Sequence, residues 1–393
     1  MSLNVSAHSA LLHPELEQYR NEFPILQRKT YLNSCSLGAL SQRSIDALHR
    51  FTENWNEYGA HAWYKIWLGE IAAVKEKFAR VIGAKPGEVA IAPSVSSAIS
   101  EITSALDFSR RNRVVMADMD FPTLAYQVLV KQRFGVEVDF VESPDRIHVP
   151  PELLIEKINE KTALVASSRV FYTSGYIQDV AALVDAAQRK GAYTLIDDYQ
   201  GTGQIPIDVH ALGVDFLVTG TLKWLMGGPG LALVYVREGL ISQLQPTITG
   251  WFANRDQFQF NTREFHFRED AGRFESGTPA LPTIHTASGG LDMVLEIGVQ
   301  RIYERTRALT NDLIERVKAK GWTLRSPEEE DRRSAIVMLA LDRPEEIVEQ
   351  LVERRFIVDH RPGLVRLSPY FYNTLAENEA IVEEMSRILA ERA

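Results

Sequence analysis

Two apolar runs, Asp215–Thr219 and Leu231–Val236, bracket a short segment that carries one lysine, Lys223, followed by Gly227, Gly228, Pro229 and Gly230. Apolar runs of this length, bounded by turn residues, read as buried strands. A chain that sets a lysine between two such strands must turn it out to water or give it a partner, because an unpaired buried ammonium costs far more than packing returns. The first alternative is a plain surface turn. The second has support upstream, where the run Tyr193–Ile196 ends in Asp197 and Asp198. A carboxylate at the carboxyl end of one strand and a lysine after a later strand both face the crevice of a parallel sheet. Together they suit a pyridoxal phosphate site, with Lys223 forming a Schiff base and Asp197 keeping the pyridine nitrogen protonated.

From Glu88 onward the chain alternates strand and helix patterns, the rhythm of an open parallel α/β sheet. The expected strands are Val89–Ala92, Arg113–Ala117, Val136–Val141, Thr162–Ser167 and Tyr193–Ile196, and the helices include Leu124–Phe134 and Val180–Lys190. Pro93–Ser97 opens a helix that runs to about Leu106, so its free amides and hydroxyls form a candidate phosphate cradle; serines before a helix also serve as plain caps. Ahead of this region, helices are expected near Glu15–Glu22, over Ser44–Asn56 and over Gly69–Val81. The intervening stretch holds Trp55, Tyr58, His61, Trp63, Tyr64 and Trp67, which suits a core or a subunit contact.

Beyond Val236 the pattern loosens. Gly250 to Phe267 reads as a long polar and aromatic loop, and Arg273–Pro279 as turns leading to a helix over Leu291–Ile302. Amphipathic helices over Ile302–Lys320 and Asn378–Ala390 surround strands near Ala335–Leu341 and Val365–Leu367. The expected division is a large domain over residues 31–290 and a smaller α+β domain from residues 1–30 with 291–393.

With 393 residues, 45% hydrophobic and 24% charged, the chain has enough apolar content for two cores. A net charge of −9 without a basic block argues against nucleic acid. One cysteine, Cys35, excludes an internal disulfide framework or a four-cysteine metal site. No run is apolar enough to span a membrane, and Met1–Arg20 lacks a leader pattern, so cytoplasm is the expected compartment.

The motifs resemble the class V aminotransferase group of fold type I pyridoxal phosphate enzymes, most nearly the kynureninases and next the cysteine desulfurase and selenocysteine lyase branch. The likeness runs from about Tyr31 to about Thr374. Lys223-Trp224-Leu225 with Gly228-Pro229-Gly230 matches the kynureninase cofactor turn, and Phe121-Pro122-Thr123 matches the segment whose phenylalanine stacks on the pyridine ring. The resemblance implies phosphate binding at Val95 and Ser96, pairing of the ring nitrogen with Asp197, and contact of Gln200 with the ring oxygen. It places Trp251 and Thr278 on loops that reach a neighbouring subunit's cofactor, hence a homodimer with shared sites. It makes Arg366 the clamp for the carboxylate of an α-amino acid. Ser36 and His61 are further candidates on the substrate side; Arg169 either reads a substrate side chain or fills the place of the family's usual histidine.

Departures from the kynureninase pattern bear on the reaction. Leu222 replaces a tyrosine before the lysine, Gln200 a histidine, Phe171 an asparagine, and Ala253-Asn254 a glycine-histidine pair. The desulfurase nucleophile would fall near Asp359–Leu364, a stretch without cysteine. The expected activity is a lyase or hydrolase acting at the β-position of an amino acid. Transamination is the alternative, and a non-catalytic pyridoxal phosphate-binding module is a further one from another class; retention of both Lys223 and Asp197 favours an enzyme.

Overall fold

The central sheet exists because successive strands are apolar on both sides. In this computed structural model, which describes residues 11–392, the strands are β1 (Val89–Ala92), β2 (Arg113–Ala117), β3 (Glu137–Val141), β4 (Thr162–Ser168), β5 (Tyr193–Asp197), β6 (Phe216–Gly220) and β7 (Ala232–Val236). The polar lead over residues 1–10 lies outside the described range. Their order is β1-β7-β6-β5-β4-β2-β3, with β7 antiparallel to β1 and β6 and the remaining pairs parallel. Every residue of β1, β4, β6 and β7 is buried, as expected where helices cover both faces. Alternate side chains go to opposite faces. Ile91, Leu217 and Leu233 pack with Val74, Phe78 and Ile284, whereas Ala90, Phe216 and Val234 pack with Ala98 and Ile102.

Strand order reverses between β4 and β2. The chain runs from β2 outward to β3, then returns to β4 and proceeds the other way, which opens a crevice at the carboxyl ends of the strands. Ser94 caps the helix Val95–Ser104 by accepting from Ser97 N, and that helix starts at the edge of this crevice.

A second, antiparallel sheet holds β8 (Thr323–Leu324), β9 (Val337–Ala340), β10 (Asp359–Arg361) and β11 (Leu364–Leu367) in the order β10-β11-β9-β8. Helices Val299–Ala319, Pro344–Glu353 and Leu375–Ala390 contribute Leu313, Val317, Ile347, Leu351, Ile381 and Met385 to its core. Thr30–Tyr31 crosses to this unit, pairing in parallel with Phe356–Ile357.

Several segments differ from expectation. The helix expected over Leu291–Ile302 is two helices, Leu281–Ile297 and Val299–Ala319, separated by Gly298 at a φ of 87°. The first begins earlier because it is buried nearly all round and packs against helices Gln42–Tyr58 and Leu68–Ile82, so tertiary contacts override its threonines and glycines. The loop from Gly250 to Phe267 contains two short 3₁₀ turns, Trp251–Ala253 and Gln257–Gln259, and is closed by a bridge between Asn254 and Phe267.

Candidate active site

Lys223 lies in the turn after β6, and that turn is gripped by backbone from distant parts of the chain. Gly38 N donates to Leu222 O at 2.7 Å, and a Cβ at Gly38 would lie 2.1 Å from Lys223 O. On the other side, Gly290 approaches so closely that a Cβ there would lie 2.0 Å from Leu225 O. Tyr370 OH shares its one hydrogen between Trp224 O at 2.9 Å and Gly203 O at 2.7 Å. Only residues without side chains fit at these two contacts. Met226, buried, takes a left-handed φ of 53° to complete the turn.

The lysine Nζ sits 4.1 Å from the centre of the Tyr199 ring and 5.9 Å from that of Phe121. Loss of hydration lowers its pKa to about 8, against the pull of the Asp197 carboxylate. Asp197 ends β5, is buried, and accepts from Tyr199 N at 2.9 Å. Burial pushes its pKa up to about 6, with the Tyr199 amide and Lys223 opposing the rise. A second carboxylate, Asp120, ties the crevice together by accepting from Ala117 N at 2.9 Å and Ser168 N at 2.6 Å. It joins the ends of β2 and β4 at the point where strand order reverses, and burial pushes its pKa up to about 7.

A cavity of about 150 Å³ extends from this pair toward the helix Val95–Ser104, lined by Ser94, Val95, Ser96, Phe121, Thr123, Asp197, Tyr199 and Leu222. Ser96 Oγ and Thr123 Oγ1 are 2.6 Å apart, side by side at the amino end of that helix. An adjoining recess is lined by Phe121, Ser168, Val170, Tyr172, Asp197, Tyr199, Gln200 and Lys223. Ser168 Oγ is buried there without a hydrogen-bond partner. Hydroxyls at a helix amino terminus suit a phosphate, Phe121 and Asp197 suit the face and nitrogen of a pyridine ring, and the orphaned Ser168 hydroxyl awaits a polar group. These residues fit pyridoxal phosphate.

Of the residues singled out in the sequence, Lys223, Asp197, Phe121, Val95, Ser96 and Gln200 line this connected space. Gln200 is also a structural link: Nε2 donates to Cys35 O at 3.0 Å and Oε1 accepts from Trp224 Nε1 at 2.9 Å. Arg366, on β11, is buried and donates to Asp359, Ser36 and Tyr172 O. Burial raises the pKa of Asp359, but Ser36, Arg366 and Arg361 outweigh this and hold it well below the carboxylate range.

Arg169, expected either to read a substrate side chain or to fill the place of the family's usual histidine, lines neither the cavity nor the recess. Its Nε and Nη2 pair with Asp198 at 2.6 and 2.9 Å, and Nη1 and Nη2 donate to Pro206 O and Ile205 O at 2.9 and 3.0 Å. A guanidinium so engaged and buried is a brace for the loop after β5. His61, Trp251 and Thr278 are exposed and line neither the cavity nor the recess. Tyr199, Thr123, Ser168, Tyr172, Asp120 and Asp359 were not among the candidates from sequence. Tyr199 had a signal in its position between two chemically marked residues, and Thr123 in the Phe-Pro-Thr segment; nothing local marked Asp359.

A desolvated lysine and a buried aspartate beside a cavity that fits pyridoxal phosphate, gathered at the carboxyl ends of the strands of an α/β sheet, define the class: a pyridoxal phosphate-dependent enzyme of fold type I. The chain belongs to the aminotransferase class-V family, whose model matches residues 30–379. It is 34% identical over 370 residues to the uncharacterized aminotransferase YcbU of Bacillus subtilis (strain 168), covering 94% of this chain and 97% of that one. It is 29% identical to the kynureninase of Shouchella clausii (strain KSM-K16), over 96% of this chain and 92% of that one. Among solved structures, the apo cysteine desulfurase of Thermococcus onnurineus NA1 shares the fold at a TM-score of 0.86 and 21% identity, covering 98% of this chain and 99% of that one. The cystine C–S lyase C-DES, in complex with its reaction product cysteine persulfide, also gives a TM-score of 0.86 at 20% identity, over 93% of this chain and 99% of that one. Among the described residues no helix is long and apolar enough to cross a membrane, and no cluster of side chains forms a metal site.

Proposed function

We propose that the protein is a lyase or hydrolase acting at the β-position of an α-amino acid, with Lys223 as the covalent anchor of the cofactor and the base at Cα. The observation that carries the roles of Lys223 is its desolvated amine, with a pKa lowered to about 8, held near Asp197 in one recess. Ser96, Thr123 and the amides at Val95 and Ser96 would hold the phosphate of the cofactor, with Phe121 and Asp197 serving its ring. When bound, pyridoxal phosphate supplies an electron-accepting ring joined to the substrate amine. An amine with a pKa of about 8 is neutral in a useful fraction near neutral pH and takes the Cα proton. Arg366 binds the substrate carboxylate and thereby fixes which bond at Cα is presented for cleavage. The group on Cβ then departs, or the bond beyond Cβ is hydrolysed.

The names of relatives support this chemistry, since kynureninases and a cystine C–S lyase both lie among the similar proteins. The absence of cysteine over Asp359–Leu364 argues for simple departure rather than transfer of sulfur to the protein. The 34% identical relative named an aminotransferase favours transamination as the second reading. Both readings take residues 31–290 as the cofactor domain and residues 1–30 with 291–393 as the smaller one. Both also take a homodimer in which Trp251 and Thr278, exposed here, reach the other subunit's site.

A panel of amino acids, with products followed by mass and the cofactor by its spectrum, tests the choice. Release of alanine or a 2-oxo acid with the aldehyde cofactor restored each turn is the expected result. Stoichiometric conversion to the amine form, discharged by a 2-oxo acid, establishes transamination instead.

A further inference from the structure

Arg366 is 1% exposed, yet its guanidinium is unevenly used. Nη2 donates to Asp359 Oδ2 at 2.6 Å and also to the Ser36 hydroxyl, so both of its hydrogens are engaged. Nη1 makes one long contact, 3.4 Å, to Tyr172 O, while Nε is buried without a partner. A guanidinium grips a carboxylate at two points either side-on, through Nε and Nη2, or end-on, through Nη1 and Nη2. Both forks pass through Nη2. No incoming carboxylate gains a two-point grip until Asp359 or Ser36 lets go.

Asp359 is the partner with somewhere to go. The same oxygen, Oδ2, already accepts from Arg361 Nη1 at 2.8 Å and from Ser36 Oγ at 2.7 Å. Arg361 is the more open of the two arginines, with its side chain 29% exposed against 1% for Arg366. One carboxylate therefore bridges a sealed cation, Arg366, and one that stays in touch with water.

We propose that Asp359 is a specificity-determining residue that occupies the carboxylate fork of Arg366 from within and is exchanged for the α-carboxylate of an incoming amino acid, passing to Arg361. The proposal rests on the reading of Arg366 as the substrate-carboxylate site. The exchange makes and breaks no covalent bond and conserves ion pairs. One anion leaves Arg366 as another arrives, and Arg361 keeps the half-buried Asp359 paired, where a lone carboxylate with little access to water is disfavoured. The unpartnered Nε marks the second point of the incoming grip. The ligand class follows from the competition. A molecule with a carboxylate displaces Asp359, whereas an amine without one leaves the internal pair closed and meets no free positive charge. Selection for amino acids over amines thus comes from an internal rival as well as from attraction.

The test is titration of the holoenzyme with L-alanine and with ethylamine, following the cofactor spectrum. Asp359→Asn keeps the shape and removes the rival charge; it is expected to tighten L-alanine by about tenfold and leave ethylamine within about twofold. Arg361→Gln, at a more open position, removes the place to which Asp359 passes; it is expected to weaken L-alanine by about threefold without moving ethylamine. If Asp359 only braces Arg366, Asp359→Asn weakens L-alanine and Arg361→Gln leaves it unchanged, and either result overturns the exchange. Arg366→Lys separates the two levels. An equal response of L-alanine and ethylamine to that variant removes Arg366 from the carboxylate site altogether. A loss confined to L-alanine, with no tightening in Asp359→Asn, overturns the exchange alone.

Discussion

The two ends of the site are built by different means. At the cofactor end, Lys223, Asp197 and Phe121 follow strands of one sheet, and the lysine turn is clamped by Gly38 and Gly290 at distances that admit no side chain. At the carboxylate end, Arg366, Asp359 and Ser36 come from a hairpin of the second sheet and from an early loop, and they pair with one another. The first end is rigid and its chemistry lies in lost hydration. The second is electrostatically closed, and its proposed chemistry is an exchange of partners. A site of this kind positions the group that must never move by backbone packing, and the group that must respond to substrate by side-chain ion pairs.

The largest expected effect falls on the cofactor end. Lys223→Ala abolishes borohydride fixation of the cofactor to the protein and lowers turnover by at least ~10³-fold. Cofactor that borohydride still fixes covalently to the polypeptide of Lys223→Ala would falsify the assignment of the anchor. Next is the pH dependence of apoprotein stability. A folded pKa of about 8 lies below the ordinary lysine value of 10.5, so the unfolded chain binds more proton at this lysine between those values. The penalty of the charged, desolvated amine is therefore full below pH 8 and relieved as pH rises toward 10.5. The unfolding free energy of wild type relative to Lys223→Met should rise by about 2 kcal/mol across that window, after allowance for residual solvent in the cavity. A flat difference by chemical denaturation would mean the amine is fully hydrated.

Packing at the same end gives the third test. Gly290→Ala improves helix propensity but drives a Cβ into Leu225 O, so it should destabilise by about 2 kcal/mol and reduce cofactor retention. A neutral melting temperature would show the clamp to be soft. At the carboxylate end, Arg366→Lys should weaken amino acids by about tenfold, since charge remains and the fork is lost. The smallest effect is outside both ends. Thr278→Ala, at an exposed position, should change subunit stability by less than ~0.5 kcal/mol. A cofactor affinity that falls in this variant at concentrations where sedimentation shows dimer would extend the site to a second subunit.

The cofactor end was more legible in the sequence than the carboxylate end, for a physical reason. Buried strands declare themselves as continuous apolar runs, so β2 falls on its expected span, Arg113–Ala117, and β6 within a residue of it. Residues at their carboxyl ends are then placed by topology alone. Arg366 was readable only through its motif, and its partner Asp359 belongs to a three-residue strand with no apolar pattern. Arg169 sits at the end of β4 like a site residue, yet its direction is decided by Asp198, a neighbour in space that the spacing does not reveal. The helix Leu281–Ile297 was missed over its first part because burial on every side erases the amphipathic period.

The bond from Gly38 to Leu222 has a bearing on biosynthesis. A nascent chain exposes the loop holding Gly38 long before the lysine turn, while Gly290, Arg366 and Tyr370 follow later. The hairpin around Lys223 closes locally once Val236 has left the ribosome and can meet Gly38, but Gly290 and Tyr370, which hold the turn from its other side, have not yet been made. Firm retention of cofactor is therefore expected only when the distant parts of the polypeptide meet around that residue, so that, with Lys223 as the proposed anchor, the coloured molecule is also the completed one.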